Sequence, residues 1–306
     1  MKGTSKLPPW LKNFGRALRN GGWPSALGCL RASAIRRLLP RLTDLPMEGF
    51  EVHVLTGRER LTMCLWMAAS WIAATKRYWQ FVIHDDGSLR NTDAASIRRL
   101  LPQSRLLLSA ETTLQVSERL KGYPLCLQCR NLHPLTRKLF DMPLFATDDR
   151  LLAIDTDILF FERPVRLEAW IAEPRPNCIF MEDVRDMTLL TPAAVQQILG
   201  VELVKNINTG IVAVPKTALA LELLEGFLEK SKLLKCDRWY IEQTLFALAA
   251  SFWRGVELLP AEYVMSLAGR CPELAVARHY VGAVRHLFYS EGISKVEPLI
   301  RRTALA

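Results

Sequence analysis

The run LLAIDTDILFF at 151–161 constrains this 306-residue chain more than any other segment. Apart from Asp155, Thr156 and Asp157 it is apolar throughout, with Arg150 before it and Glu162 after it. A continuous apolar stretch of this length reads as a strand buried on both faces, and such strands belong to parallel sheets covered by helices. A carboxylate left buried and unpaired in that setting costs several kcal/mol. The two aspartates therefore belong at the end of the strand, where the chain turns and a counter-charge can reach them.

The rest of the chain agrees with that setting. The strand-like segments 51–56, 81–89, 178–181 and 211–215 alternate with helical patterns at 61–76, 91–101, 135–141, 192–199, 218–232 and 239–250. Alternation on this scale predicts βαβ units. The expected architecture is α/β: a single Rossmann-like domain over 46–306, with a mostly parallel sheet flanked by helices, preceded by a basic helical extension over 1–45. No internal repeat or long linker interrupts it. In such sheets ligands bind beyond the carboxyl ends of the strands. The polar groups to watch are therefore Thr56-Gly57, His84-Asp85-Asp86, Asp155-Thr156-Asp157, Glu182-Asp183 and Asn208-Thr209-Gly210.

Composition enters through charge. The net charge is +9, and residues 1–43 hold nine Lys/Arg and no Asp or Glu, leaving 31 basic and 31 acidic residues in the remainder. A neutral body does not offer a groove for tracking phosphates, so nucleic acid is not an expected partner. The extension carries two amphipathic patterns, around Trp10, Leu11, Phe14 and Leu18 and around Leu27, Leu30, Ile35, Leu38 and Leu39. Two readings stand: the helices lie on anionic lipid, or they pack on the body with their arginines in water.

Leu61–Thr75 is uncharged but has only fifteen residues, short of the roughly 20 needed to span a bilayer. It reads as a helix buried in the domain. Charges and prolines interrupt any secretory h-region near the N-terminus. Seven cysteines in apolar context fit a reduced compartment, and the CxxC at Cys126/Cys129, with His133 nearby, lacks the second ligand pair of a structural zinc site. The expected location is the cytoplasm, with peripheral contact at the inner face of the membrane if the first reading of 1–43 holds.

For chemistry, Asp155 and Asp157 present hard oxygen ligands suited to Mg²⁺ or Mn²⁺. A strand followed by D-x-D is also the nucleophile signature of haloacid-dehalogenase-like phosphatases, and HDDGSL at 84–89 imitates that family's turn. His84 stands where the nucleophilic aspartate would be, however, and Asp157 is followed by Ile-Leu. Three further signals are Asn208-Thr209-Gly210, then His279 with Gly282 and Arg285, then Glu242-Gln243 in the first turn of a helix. Each alone has an ordinary structural reading.

In this order the motifs resemble the GT-A glycosyltransferases over roughly 50–290, in the branch that includes glycogenin and bacterial lipooligosaccharide galactosyltransferases. The resemblance implies a nucleotide-sugar donor, a UDP-sugar, and a glycan or lipid-linked acceptor. It implies Mn²⁺ or Mg²⁺ held by Asp155, Asp157 and His279. Gly282 and Arg285 match the family's diphosphate-binding segment, with Arg in place of Lys. Asn208, Glu242 and Gln243 match positions near the reacting sugar, with Glu in place of the family's Asp. Thr56, Gly57 and Thr156 stand beside the nucleotide-sugar, as does a basic residue ahead of the D-x-D, Arg137 or Lys138. Membership would also imply retention of anomeric configuration. A non-catalytic binding protein on the same fold is the remaining alternative.

Overall fold

The structure is a computed structural model that describes residues 8–173, 177–236, 239–253 and 255–305. Lys2 and Lys6 of the basic segment lie outside them.

Among the described residues, ten strands form two sheets: β1 (Met47–Thr56), β2 (Tyr78–Asp85), β3 (Arg105–Leu107), β4 (Arg150–Ile154), β5 (Ile158–Phe160), β6 (Cys178–Glu182), β7 (Ile207–Pro215), β8 (Val256–Leu258), β9 (Tyr263–Met265) and β10 (Ala277–His279). The main sheet runs in the order β3-β2-β1-β4-β7-β6-β8, and β5-β10-β9 form the smaller one. β1 is parallel to both β2 and β4, whereas β7 is antiparallel to β4 and β6. The mostly parallel sheet is thus present, with one reversed strand in it. Asn208, Thr209 and Gly210, expected directly before the strand at 211–215, lie inside β7.

Strand β4 alternates its side chains between two cores. Leu152 and Ile154 join one cluster, and Leu151 and Ala153 join the other. Helices cover both faces, which is the layering that a continuously apolar strand requires. Leu61–Thr75 is one of these helices, and all its residues but Thr62 are buried. The Trp66 indole donates to Ala32 O (2.8 Å), and the Ser70 hydroxyl accepts from the Phe160 backbone (3.1 Å). Packed on several sides, it has no need of a polar stripe. No helix among the described residues is long and apolar enough to cross a membrane.

The N-terminal helix Pro9–Arg31 breaks at Gly22, whose φ of 64° precedes Pro24, a residue that cannot continue the hydrogen-bond ladder behind it. Beyond the break it lies against the chain at 288–292, so closely that a Cβ on Gly28 would sit 2.1 Å from the Tyr289 carbonyl oxygen. Ala17, Ala32, Ile35, Leu38, Leu39 and Leu42 enter the same core as one face of the sheet. Near the start of the helix, Lys12 and Arg16 both pair with Glu59, at 2.8 and 2.9 Å.

Candidate functional site

The strand order reverses between β1 and β4, and a crevice opens there at their carboxyl ends. It is a cavity of about 490 Å³, and every residue singled out from the sequence as a metal, nucleotide or sugar contact lines it, Arg137 apart. The order of the strands brings them together. Thr56 and Gly57 end β1, while Asp155, Thr156 and Asp157 form the turn between β4 and β5. Antiparallel pairing of β10 with β5 sets His279 opposite Ile158, beside Asp157, although the two lie far apart in sequence. Asn208 projects from β7, and Glu242 and Gln243 from the first turn of the helix Ile241–Trp253. Of the basic pair before β4, Lys138 faces the cavity. Arg137 turns away to the Asp85 carbonyl and the Ser109 hydroxyl (3.1 Å).

Asp155, Asp157 and His279 each offer an atom within 4.8 Å of the others, a set able to hold a metal ion. The His279 Nδ1–H donates to Asn208 Oδ1 (2.8 Å), an oxygen that also accepts the Gly210 amide (3.0 Å). The Asn208 amide is fixed in this sense because its Nδ2 donates to Asp183 Oδ2 (2.9 Å). That leaves Nε2 directed at Asp157 Oδ1 (3.2 Å) and Asp155 Oδ2 (4.0 Å). The outer oxygens of both carboxylates are held from behind. Lys138 Nζ binds Asp155 Oδ1 (3.0 Å), while Arg60 (3.2 Å) and Arg285 (2.9 Å) bind Asp157 Oδ2. Two inward carboxylate oxygens and an imidazole oriented from behind suit a divalent cation such as Mn²⁺ or Mg²⁺. Burial pushes the Asp157 carboxyl up, but His279, Arg285 and Arg60 outweigh it and hold the group well below the usual carboxylate range. It is therefore ionised at neutral pH.

Gly210 explains how the imidazole comes so close: a Cβ there would lie 2.4 Å from His279 Nδ1. Gly57 plays the same part at β1, where a Cβ would meet Asp86 Oδ2 at 2.0 Å.

Glu242 is buried rather than a solvated first-turn acid. It pairs with Lys138 Nζ (2.9 Å) and accepts from the Thr209 hydroxyl (3.0 Å). Its carboxyl is raised above the usual value, chiefly by burial and further by the charge of Asp155, against the pull of Lys138. Gln243 Nε2 donates to the Ile207 carbonyl (2.6 Å). Lys138 therefore joins Asp155 to the helix carrying Glu242 and Gln243.

The motifs with competing readings resolve into structural roles. Asp85 Oδ1 accepts the amides of Gly87 (2.8 Å) and Leu89 (3.1 Å), so HDDGSL is a side-chain-capped turn. Three main-sheet strands precede the D-x-D strand, which disfavours the dehalogenase reading. Cys126 and Cys129 are buried thiols on the helix Pro124–Leu132, and burial pushes Cys129 up to about 12. Sequence reasoning missed Arg60, which lines the cavity and binds Asp157. It named Asp183 only as a strand-end group, although Asp183 orients Asn208.

No protein-family model and no curated protein matches the sequence. Solved structures do match. One is the galactosyltransferase LgtC in complex with donor and acceptor sugar analogs, at 15% identity and TM-score 0.52, with 82% of this chain and 95% of that one covered. Another is WbbM, a bifunctional glycosyltransferase, at 14% identity and TM-score 0.52, with 86% of this chain covered and about half (52%) of that one. An active-site mutant of LgtC matches at 13% identity and TM-score 0.50, with 81% of this chain and 95% of that one covered. Likeness at these identities speaks for the backbone arrangement alone: the chain has the GT-A glycosyltransferase fold.

Proposed function

We propose that this protein is a metal-dependent glycosyltransferase that moves a sugar from a nucleotide donor, a UDP-sugar, to an acceptor hydroxyl on a glycan or lipid-linked glycan. One observation carries the reading. At the switch point of the sheet, Asp155 Oδ2, Asp157 Oδ1 and His279 Nε2 converge while the opposite carboxylate oxygens are held by cations. A divalent cation bound there supplies charge stabilisation to a departing diphosphate.

The chain's own residues do the rest. Asn208 holds the His279 tautomer. Arg60 and Arg285, with roughly a third of their side chains exposed, offer the donor fixed positive charge where charge develops on its leaving group. Lys138 keeps Asp155 and Glu242 in register, so that Glu242 and Gln243 border the sugar. Retention of anomeric configuration follows from the family resemblance.

The test is release of UDP from a panel of UDP-sugars with Mn²⁺. Turnover that depends on the metal and is lost in Asp157→Ala supports the reading. Full turnover in Asp157→Ala, or none with any donor, overturns it.

The acceptor side of the reading involves the membrane. The N-terminal helix buries one face against the body and exposes Trp10, Trp23, Leu27 and Leu30 beside the exposed Arg19 and Arg31. Each basic residue near an anionic surface contributes about 1 kcal/mol, and exposed indoles favour the interface. All seven cysteines are free, which fits a reducing compartment. The inner face of a cytoplasmic membrane satisfies both features. Co-sedimentation with phosphatidylglycerol vesicles should be salt-sensitive and fall in Trp23→Ser/Leu27→Ser. Equal sedimentation of that variant would remove the membrane from the account.

A further inference from the structure

A second cavity, of about 90 Å³, lies between the N-terminal helix and the segment 282–289, and it shares Arg60, Gly282 and Arg285 with the main cavity. Arg16, Arg60 and Arg285 line it together with Asn13, whose Nδ2 also donates to the Glu59 carbonyl (2.9 Å), and Asn20, and no carboxylate among the described residues does. Each of these guanidiniums is held on one side by a carboxylate and keeps other N–H groups for a ligand. Glu59 is paired with Lys12 and Arg16, and Asp157 with Arg60, Arg285 and His279. His286 also lines the cavity, and its Nδ1 is buried without a hydrogen-bond partner among the described residues. Guanidiniums, amides and an unpartnered imidazole nitrogen around a space of that size match an anion with several acceptor oxygens.

We propose that this cavity is a phosphate-binding subsite adjoining the donor site, and that the phosphate it takes is carried by the acceptor. The second half of the proposal rests on the transferase reading; the first does not. Asn13, Arg16 and Asn20 come from the N-terminal helix, so that helix completes the subsite as well as packing on the domain. The shared wall at Arg60 and Arg285 would set a bound phosphate next to the donor diphosphate. An acceptor whose hydroxyl lies close to its own phosphate therefore fits better than a neutral sugar.

The experiment uses the full chain, metal-free, with labelled histidine, titrated with inorganic phosphate at constant pH and followed by NMR. The His286 resonances should shift saturably. Asn20→Asp, which places a like charge on an exposed position at the rim, should weaken that affinity about tenfold or more while the protein stays folded. No saturable shift at His286, or equal affinity in the variant, overturns the subsite.

A second arm compares a sugar phosphate with the corresponding neutral sugar as acceptors, with UDP-sugar and Mn²⁺ present. Asn20→Asp should raise KM for the phosphorylated acceptor alone. A KM unchanged for both acceptors overturns the acceptor assignment. So does a His286 shift produced by phosphatidylglycerol vesicles but not by the sugar phosphate. Absence of turnover with every donor would instead defeat the transferase reading and leave the phosphate titration standing.

Discussion

Replacing Lys138 with Met tests how the site is held together. The ammonium is 2% exposed and lies 3.0 Å from Asp155 Oδ1, 2.9 Å from Glu242 Oε1 and 3.0 Å from the Thr209 carbonyl oxygen. Methionine fills similar volume but leaves the Glu242 carboxylate buried with only the Thr209 hydroxyl at 3.0 Å. Removing one partner of a buried ion pair costs about 3–5 kcal/mol, because the other charge remains uncompensated. Asp155, at 22% exposure, can recruit water and adds little to that figure. The loss is a large part of the total stability of an ordinary domain, about 5–15 kcal/mol, so the variant should fold and unfold at markedly lower urea.

The deficit should also depend on pH. Burial already raises the Glu242 carboxyl, and loss of Lys138 raises it further. The folded state then holds a proton more tightly than the unfolded chain. The charge-related deficit is smallest below the unfolded glutamate value and grows as pH rises through the folded one. Urea unfolding of Lys138→Met should therefore show a smaller deficit at about pH 5 than at about pH 7.5, and Lys138→Met/Glu242→Gln should recover about 2 kcal/mol or more. A deficit under about 1 kcal/mol, equal deficits at the two pH values, or no recovery in the double variant would refute the buried-triad argument.

Other substitutions probe separate parts of the molecule. Gly210→Ala drives a methyl group into the His279 ring and should weaken Mn²⁺ binding about 10–100-fold by calorimetry, and unchanged affinity would show that the position of the imidazole does not govern the ion. His53 and His84 meet at 3.0 Å in the core and are held below the usual histidine value chiefly by burial. The unfolded chain therefore binds more protons below about pH 6.5, so stability should fall as pH drops through that value, with a shallower slope in His84→Gln; a flat profile would count against it. Gly28→Ala meets the Tyr289 backbone and should cost about 1–3 kcal/mol in thermal unfolding, whereas a neutral result would mean that the N-terminal helix docks loosely.

The turn that sets Asp155 and Asp157 in the cavity was legible because the two interrupt a run that is otherwise apolar, an arrangement that needs a counter-charge. His279 could be placed only through its spacing to Gly282 and Arg285, since the pairing of β10 with β5 that carries it to Asp157 leaves no local mark. Glu242 looks in sequence like any first-turn acid, and it is buried because Lys138, about a hundred residues earlier, lies against it. Arg60 was invisible for a related reason, as an arginine ahead of a helix carries no sign of the carboxylate it will meet. The reversed direction of β7 was also hidden, because a strand buried on both faces has the same pattern read either way. Helix Ser109–Arg119 went unread because it buries only Thr112 and Val116, too little to set an apolar period.

The most direct test of the central claim is a crystal structure with UDP and Mn²⁺, using anomalous scattering from manganese. One strong anomalous peak coordinated by Asp155, Asp157 and His279 is expected, with the UDP diphosphate on that ion and beside Arg285. UDP bound elsewhere, or manganese absent from those three side chains at saturating concentration, would contradict it.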